Sequence, residues 1–316
     1  MLKKIETVLI GTSLTEASDE VVRTGLKVAR AAGARVALVH AYALRVAYGG
    51  APYIPDLAVD EVLAAEREGL RRQMESQAEL LGIKPWELAG LELGPGPAHQ
   101  MIMETAKRIN ASLIVMGAAE SPRLAKLFGA TADRVVRKAI CPVLVVRREL
   151  PVPPARVLLP VDLSYLSAEA FREGLEILGL LCRERELPKL EAMYVMTDLD
   201  RHLFAPEEAP EQVETHAREE LERFLVRHAG DSPFQVMPRV VAGYVEDEVL
   251  LRIREWEPSL VVIGTHGRSG FERFLLGSVA GRVIRDSGAN VLVVPPAVAR
   301  EQSEAVRESM QEVMVG

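Results

Sequence analysis

Two glycines, an arginine and a Gly-Ser pair fall in one run near the end of the chain. They are Gly264, Gly267, Arg268, Gly277 and Ser278, in the text Val261-Val262-Ile263-Gly264-Thr265-His266-Gly267-Arg268 and, further on, Gly277-Ser278-Val279-Ala280. The chemistry these types favour is the holding of phosphate. Glycine lets a backbone turn tightly and approach a ligand without a Cβ in the way. The planar guanidinium of Arg268 can offer several donors to phosphate oxygens at once. Gly277 and Ser278 stand immediately before Val279, Val283 and Ile284, whose spacing suits a helix with one buried face. Ser278 is therefore expected to cap that helix, beside free N–H groups at the positive end of its dipole, where anions bind well.

A second short stretch, Pro160-Val161-Asp162-Leu163-Ser164, closes an apolar run of strand character. Asp162 taken alone reads as a turn residue or a cap. Placed opposite the glycine run, its carboxylate becomes an acceptor for a ribose hydroxyl or a ligand for a metal carried in with phosphates. His266 reads as a solvated loop histidine and Arg273 as a surface residue. No Ser-His-Asp order and no paired carboxylates accompany them, so hydrolysis has no evident base.

The spacing Gly-x2-Gly-x9-Gly-Ser, after a buried strand and before a helix, resembles the ATP-binding signature of the universal stress protein family. The flanks agree with it: the strand before, the text Arg273-Phe274-Leu275-Leu276-Gly277-Ser278-Val279-Ala280, and the apolar run Val291 to Val294 after. The resemblance implies ATP as ligand, with Mg2+ accompanying the phosphates. It also implies that Pro160 and Val195 hold the adenine from the ends of the first two strands. The ribose and phosphates then fall to Asp162, Gly264, Gly267, Arg268, Gly277, Ser278 and Val279.

Composition bounds the remaining choices. At 316 residues the chain is long enough for two domains. Hydrophobic residues at 48% supply two cores and charged residues at 26% a polar surface, while a net charge of -7 argues against a general nucleic-acid binder. Cys141 and Cys182 lack the spacing of a zinc or redox motif and read as structural thiols in a reducing compartment. Neither an export signal nor an apolar run of the ~18 residues that span a bilayer is visible, so the expected location is the cytoplasm.

The sequence repeats itself once. Val8-Leu9-Ile10 corresponds to Val157-Leu158-Leu159, Gly25-Leu26 to Gly174-Leu175, Ser112 to Gly117 to Ser259 to Gly264, and Pro142 to Val146 to Asn290 to Val294. These landmarks in the same order mark an internal duplication. Between the copies lies Leu150-Pro151-Val152-Pro153-Pro154, where proline forbids helix and favours an extended connector. The expected domains are 1–149 and 155–297, followed by a helical tail at 298–316.

Within each copy short apolar runs alternate with amphipathic ones. Strands are expected at 5–10, 35–41, 88–93, 112–117 and 143–147, with helices near 16–32, 58–81, 97–109 and 130–139. The second copy repeats this with strands near 156–160, 189–195, 235–241, 259–264 and 291–295, and helices near 166–182, 208–229, 245–256 and 278–287. Strands separated by helices of that length imply α/β architecture: tandem doubly wound, open parallel sheets. The family resemblance adds the strand order 3-2-1-4-5. In such sheets ligands bind beyond the C-terminal strand ends where the order reverses, between the first and fourth strands of a copy.

The first copy departs from the phosphate pattern. It reads Gly117-Ala118-Ala119-Glu120, then Gly129-Ala130-Thr131, so Glu120 replaces the second glycine, the spacing is one residue short, and Ala130 replaces the serine. Ser13 stands where Asp162 stands. A carboxylate against polyphosphate is repulsive, and one nucleotide per chain, in the second half, is the expectation. Thr131 leaves weak binding in the first half open.

Residues Ala41 to Asp56 contain Tyr42, Tyr48 and Tyr53 among glycines and prolines and read as a surface loop. The expected function is a tandem ATP-binding regulatory module in the stress response, its two domains paired within the chain through Val143–Val146 and Val291–Val294, with a homodimer also open. Two rivals stand beside it: a slow ATPase or phosphotransferase using Asp162 and Arg268, and an interaction scaffold that binds no nucleotide.

Overall fold

A computed structural model describes residues 4–43, 56–118, 129–182, 186–200, 210–265, 267 and 276–296. The first half runs β1 (Thr7–Gly11), α1 (Glu16–Ala32), β2 (Arg35–Tyr42), α2 (Asp56–Leu80), β3 (Leu88–Pro95), α3 (Ala98–Arg108), β4 (Leu113–Gly117), α4 (Ala130–Lys138) and β5 (Val143–Val146). The second runs β6 (Arg156–Val161), α5 (Tyr165–Leu181), β7 (Lys189–Met196), α6 (Pro210–Ala229), β8 (Val236–Ala242), α7 (Val245–Trp256), β9 (Leu260–Gly264), α8 (Ser278–Asp286) and β10 (Asn290–Val294). The expected helices 16–32 and 245–256 coincide with α1 and α7, and the other expected elements differ from the observed ones by one or two residues at an end. The expected tail at 298–316 and the loop tyrosines Tyr48 and Tyr53 lie outside the described residues.

Local chemistry accounts for the boundaries. In α1 the buried residues Val21, Val22, Gly25, Leu26, Val28 and Ala29 form one stripe, and the helix stops at Gly33. Gly33 has φ of 69°, a left-handed turn that glycine adopts without steric cost, and its N–H returns to the last turn. Gly25 and Gly174 mark close approaches of helix to sheet: a Cβ would lie 2.4 Å from Ile10 at the first and 2.5 Å from Val262 at the second.

The strands of each half follow the order 3-2-1-4-5, and the two halves join edge to edge into a ten-stranded sheet, β3-β2-β1-β4-β5-β10-β9-β6-β7-β8. Pairing is parallel within each half and antiparallel at the junction, where Val145, Leu144 and Val143 face Val291, Leu292 and Val293. Every residue of β5 and β10 is buried. Two valine-rich edges are thereby removed from solvent and from unintended pairing. Asn290, fully buried, sits at one end of the junction; its Oδ1 accepts the backbone N–H groups of Arg147 at 2.8 Å and Arg148 at 3.2 Å.

Alternate residues of each strand feed two cores, one on each face. Val8, Ile10, Leu38, Leu159 and Tyr194 pack toward α1, α2, α5 and α6, while Leu9, Val39, Ile114, Val195 and Ile263 pack toward α3, α4, α7 and α8. Both cores pass through both halves. Leu150 of the proline-rich connector is itself fully buried in the first of them, so the connector is fixed against the protein body.

Candidate functional site

In the second half, β6 keeps register with β7 up to Val161, whereas its pairing with β9 covers Val157 and Leu158. Beyond Leu158 the first and fourth strands of this half diverge, and Pro160, which has no N–H to offer a ladder, occupies the divergence. A cavity of about 310 Å3 opens there. That volume is at the lower end of what small-molecule sites occupy, about 300–1,000 Å3.

The structure brings Pro160, Asp162, Val195, Gly264, Gly267, Gly277, Ser278 and Val279 together around this one cavity. Arg268 lies outside the described residues, as do His266 and Arg273. Pro160 and Val195 contribute apolar wall from neighbouring strands, with Val195 buried. Val245 and Val249 of α7 line the same cavity.

Asp162 is held by the turn that follows β6. Its Oδ1 accepts the N–H of Ser164 at 2.9 Å, and its own N–H donates to Ser167 Oγ at 3.2 Å. Ser164 in turn caps α5 by accepting the N–H of Ser167 at 3.2 Å. The other carboxylate oxygen, Oδ2, faces Gly267, where a Cβ would lie 2.8 Å from it. A side chain at 267 would therefore displace this carboxylate.

The turn is strained in the same way in both halves. Leu163 has φ of 64° and Leu14 of 58°, the left-handed region that leucine avoids. Each such residue costs roughly 1–3 kcal/mol, and both lie at the strand end beside a cavity.

The phosphate-type loop is closed at its base. Thr265 N–H donates to Val294 at 3.2 Å, and Gly277 N–H donates to the Thr265 carbonyl at 2.8 Å. Ser278 does not cap α8 as its sequence position suggests. Gly277 is the cap, with extended backbone, and Ser278 is the first helical residue, with no side-chain cap bond formed. The helix begins one residue earlier than the capping pattern requires, which leaves the serine hydroxyl on the exposed rim of the cavity. The first residues of α8 still line the cavity, and the first amides of a helix have no intrahelical acceptor.

Thr197 and Asp200 also line the cavity and escaped sequence reasoning. Asp200 Oδ2 accepts the Thr197 N–H at 2.9 Å and the Thr197 hydroxyl at 2.8 Å, and the Asp200 N–H reaches back to Thr197 Oγ1 at 3.3 Å. This is a reciprocal capping box on the helical turn at 198–200, and the pattern Thr-x-x-Asp could have disclosed it. Nearby, buried Glu191 of β7 accepts two bonds from Arg252 of α7, at 2.7 and 2.6 Å, and the Arg252 guanidinium stacks 5.1 Å from the Trp256 ring centre. That pair fixes α7, and with it Val245 and Val249, against the sheet.

The first half retains a cavity of about 340 Å3 at the equivalent place. Its rim carries Thr12, Ser13, His40 and Thr131, and no carboxylate occurs among the described residues that line it. Thr12 Oγ1 is engaged by Gln77 at 2.7 Å and by the Leu14 N–H at 3.1 Å, and Ser13 Oγ by Thr15 at 2.8 Å. His40 Nδ1 donates to the Thr12 carbonyl at 2.9 Å. The loop base is closed as in the second half, by Gly129 N–H to the Ala118 carbonyl at 2.8 Å, and Gly129 caps α4. Among the described residues the first-half crevice is thus open as well; Glu120 lies outside them.

A family model described as the universal stress protein family matches the chain twice, over residues 4–147 and 154–295. The chain belongs to the universal stress protein family. It is a tandem member, with one match in each half. A universal stress protein of Mycolicibacterium smegmatis is 26% identical over 314 residues, covering 92% of this chain and 97% of that one. Another, from Mycobacterium tuberculosis, is 30% identical over 250 residues, covering 73% of this chain and 79% of its own length. Among solved structures, a universal stress protein from Archaeoglobus fulgidus superposes with a TM-score of 0.63 at 17% identity, over 93% of this chain and 99% of that one. At that identity the superposition speaks for the shared fold.

Proposed function

We propose that this universal stress protein binds ATP in the second-half cavity and acts as a nucleotide-dependent regulatory module. The observation that carries the reading is the convergence of Asp162, Gly264, Gly267, Gly277 and Ser278, from three separate stretches of sequence, on one crevice at the reversal of strand order. Pro160 and Val195 form an apolar slot suited to a base, and Asp162 suits a ribose hydroxyl or a Mg2+ ion brought with the phosphates. The α8 N-terminus and the glycine loop, with Arg268, receive the phosphates. The close Gly267–Asp162 approach supports this fit, since a side chain at 267 would displace the carboxylate that faces the loop.

The functional units are 1–149 and 155–297, with the pairing of β5 and β10 taking the place of pairing between separate chains. The first unit supplies a partner surface and the second the nucleotide site. Among the described residues no helix is long and apolar enough to cross a membrane. Cys141 and Cys182 are unbridged and buried, and burial pushes the Cys182 thiol up to about 11, which suits a reducing compartment such as the cytoplasm.

The test is to denature the purified protein and identify by chromatography any nucleotide released. The expected result is ATP or ADP near one equivalent. Protein that carries none and gains no thermal stability from added ATP, against mass action, would refute the proposal.

A further inference from the structure

Helix α8 is committed at both ends. Ser278, Val279 and Ala280, its first residues, line the second-half cavity. Its last carbonyls are held from the other half of the chain. Arg147, the residue following β5, donates from Nη2 to the carbonyls of Ile284 and, at 3.0 Å, Arg285, while its backbone N–H is fixed on Asn290 at 2.8 Å. The last carbonyls of a helix have no intrahelical donors and carry the negative end of its dipole, so a guanidinium there meets both needs.

The device runs in one direction. The positions corresponding to Arg147 and Arg148 in the second half hold Pro295 and Pro296, which have no amide hydrogen and no side-chain donor. Arg147 is also one residue from a contact with the first-half cavity, since the Val146 carbonyl accepts the N–H of Ala118, a lining residue, at 3.1 Å. The chain Ala118, Val146, Arg147 and α8 thus links one cavity to the other through hydrogen bonds and one short helix. With nine residues, α8 is too short to keep its shape without tertiary support, so loss of its C-terminal anchor reaches its N-terminal turn.

We propose that Arg147 is a positioning residue for the second-half site. By holding α8 from behind, it sets the helix N-terminus that receives the ligand, and it makes the affinity of that site depend on the docking of the first half. The inference rests on reading the second cavity as the nucleotide site.

The experiment uses the full chain with R147A, R147K and, as a control, R148A. The Arg148 guanidinium anchors the same turn on the Pro258 carbonyl at 2.9 Å, away from α8. Hydrogen exchange of the ligand-free proteins reads α8 itself, and calorimetric titration with ATP reads the site. In R147A the amides of 281–287 should exchange about tenfold faster and ATP should bind about tenfold more weakly, the effect of 1.4 kcal/mol. R147K, which keeps the charge, should recover part of both, and R148A should leave both nearly unchanged. Equal effects of R147A and R148A on ATP, or unaltered α8 exchange in R147A, would overturn the proposal. Should R147A fail to fold, R147K decides it: wild-type exchange and affinity in both R147K and R148A would count against a special role for the guanidinium. Wild-type protein that binds no ATP would sink the nucleotide reading, and the exchange comparison would still decide whether Arg147 sets α8.

Discussion

Oδ2 of Asp162 and the backbone of Gly267 approach so closely that a Cβ on residue 267 would stand 2.8 Å from the carboxylate. The contact joins the end of β6 to the loop that follows β9, the two lips of the crevice. Gly267→Ala must displace the Asp162 carboxylate from its place beside the loop. We expect it to weaken ATP binding by about tenfold or more, with a change in unfolding midpoint of a degree or two, since both positions are at the surface of the core. Asp162→Ala relieves the clash, so the double variant should bind better than the product of the single losses allows. Calorimetric titration of the four proteins gives the coupling directly; strict additivity would contradict a shared cradle.

The junction of the halves should respond to Asn290. This fully buried amide accepts two backbone N–H groups and donates to the Ser259 carbonyl at 3.1 Å. Asn290→Ala leaves those groups in the interior without it, at a cost of about 1–3 kcal/mol for each group left unsatisfied. Leu292→Ala at the centre of the same strand should cost about 2–5 kcal/mol through lost packing. Urea unfolding followed by circular dichroism checks both, and a midpoint unchanged in either variant would show that the junction contributes little.

Glu191 and Arg252 should behave as a buried pair. Arg252→Ala removes both hydrogen bonds to a carboxylate that is 5% exposed, leaves it the ion pair with Arg239 at 3.9 Å, and removes the stacking on Trp256, so a loss of about 3 kcal/mol is expected. Replacing both residues with leucine should recover part of that loss, since Arg239 then loses its carboxylate. Thermal unfolding of the single and double variants distinguishes this from simple packing, for which the double change would be the worse.

Acid sensitivity should include Glu87. The Arg30 guanidinium, bonded at 2.7 and 2.9 Å, together with the Lys84 N–H, lowers its carboxyl from 4.5 to about 2. A depressed folded value means that the unfolded chain takes up the proton first as pH falls. The contribution is therefore complete above about 4.5 and is lost on descending toward 2. Arg30 is half exposed, so the effect is limited to about 1 kcal/mol. Glu87→Gln should be less stable than wild type at neutral pH and should converge with it by pH 2; a constant difference across that range would contradict the assignment.

Much of the fold could be read from apolar runs such as Val261-Val262-Ile263 and from the repetition of landmarks between halves, because a buried parallel strand must be apolar on both faces. The glycine spacing and Asp162 were legible as types that suit phosphate and ribose. What could not be read depends on three-dimensional meeting. Leu14 and Leu163 adopt a backbone that leucine disfavours, so propensity points away from it. Arg147 and Asn290 meet across the junction only when the halves pair, and Thr197 with Asp200 becomes part of the crevice wall through a turn whose place is set by β7. The capping role passed from Ser278 to Gly277 because a one-residue shift in where the helix begins is beyond the resolution of a capping pattern.

The most direct measurement is the stoichiometry of ATP binding by calorimetric titration of nucleotide-stripped protein, compared with Asp162→Ala and with Ser13→Ala in the corresponding first-half turn. One ATP per chain, greatly weakened by Asp162→Ala and unaltered by Ser13→Ala, is the predicted result. Two equal sites, or a single site that responds to Ser13→Ala and not to Asp162→Ala, would contradict it.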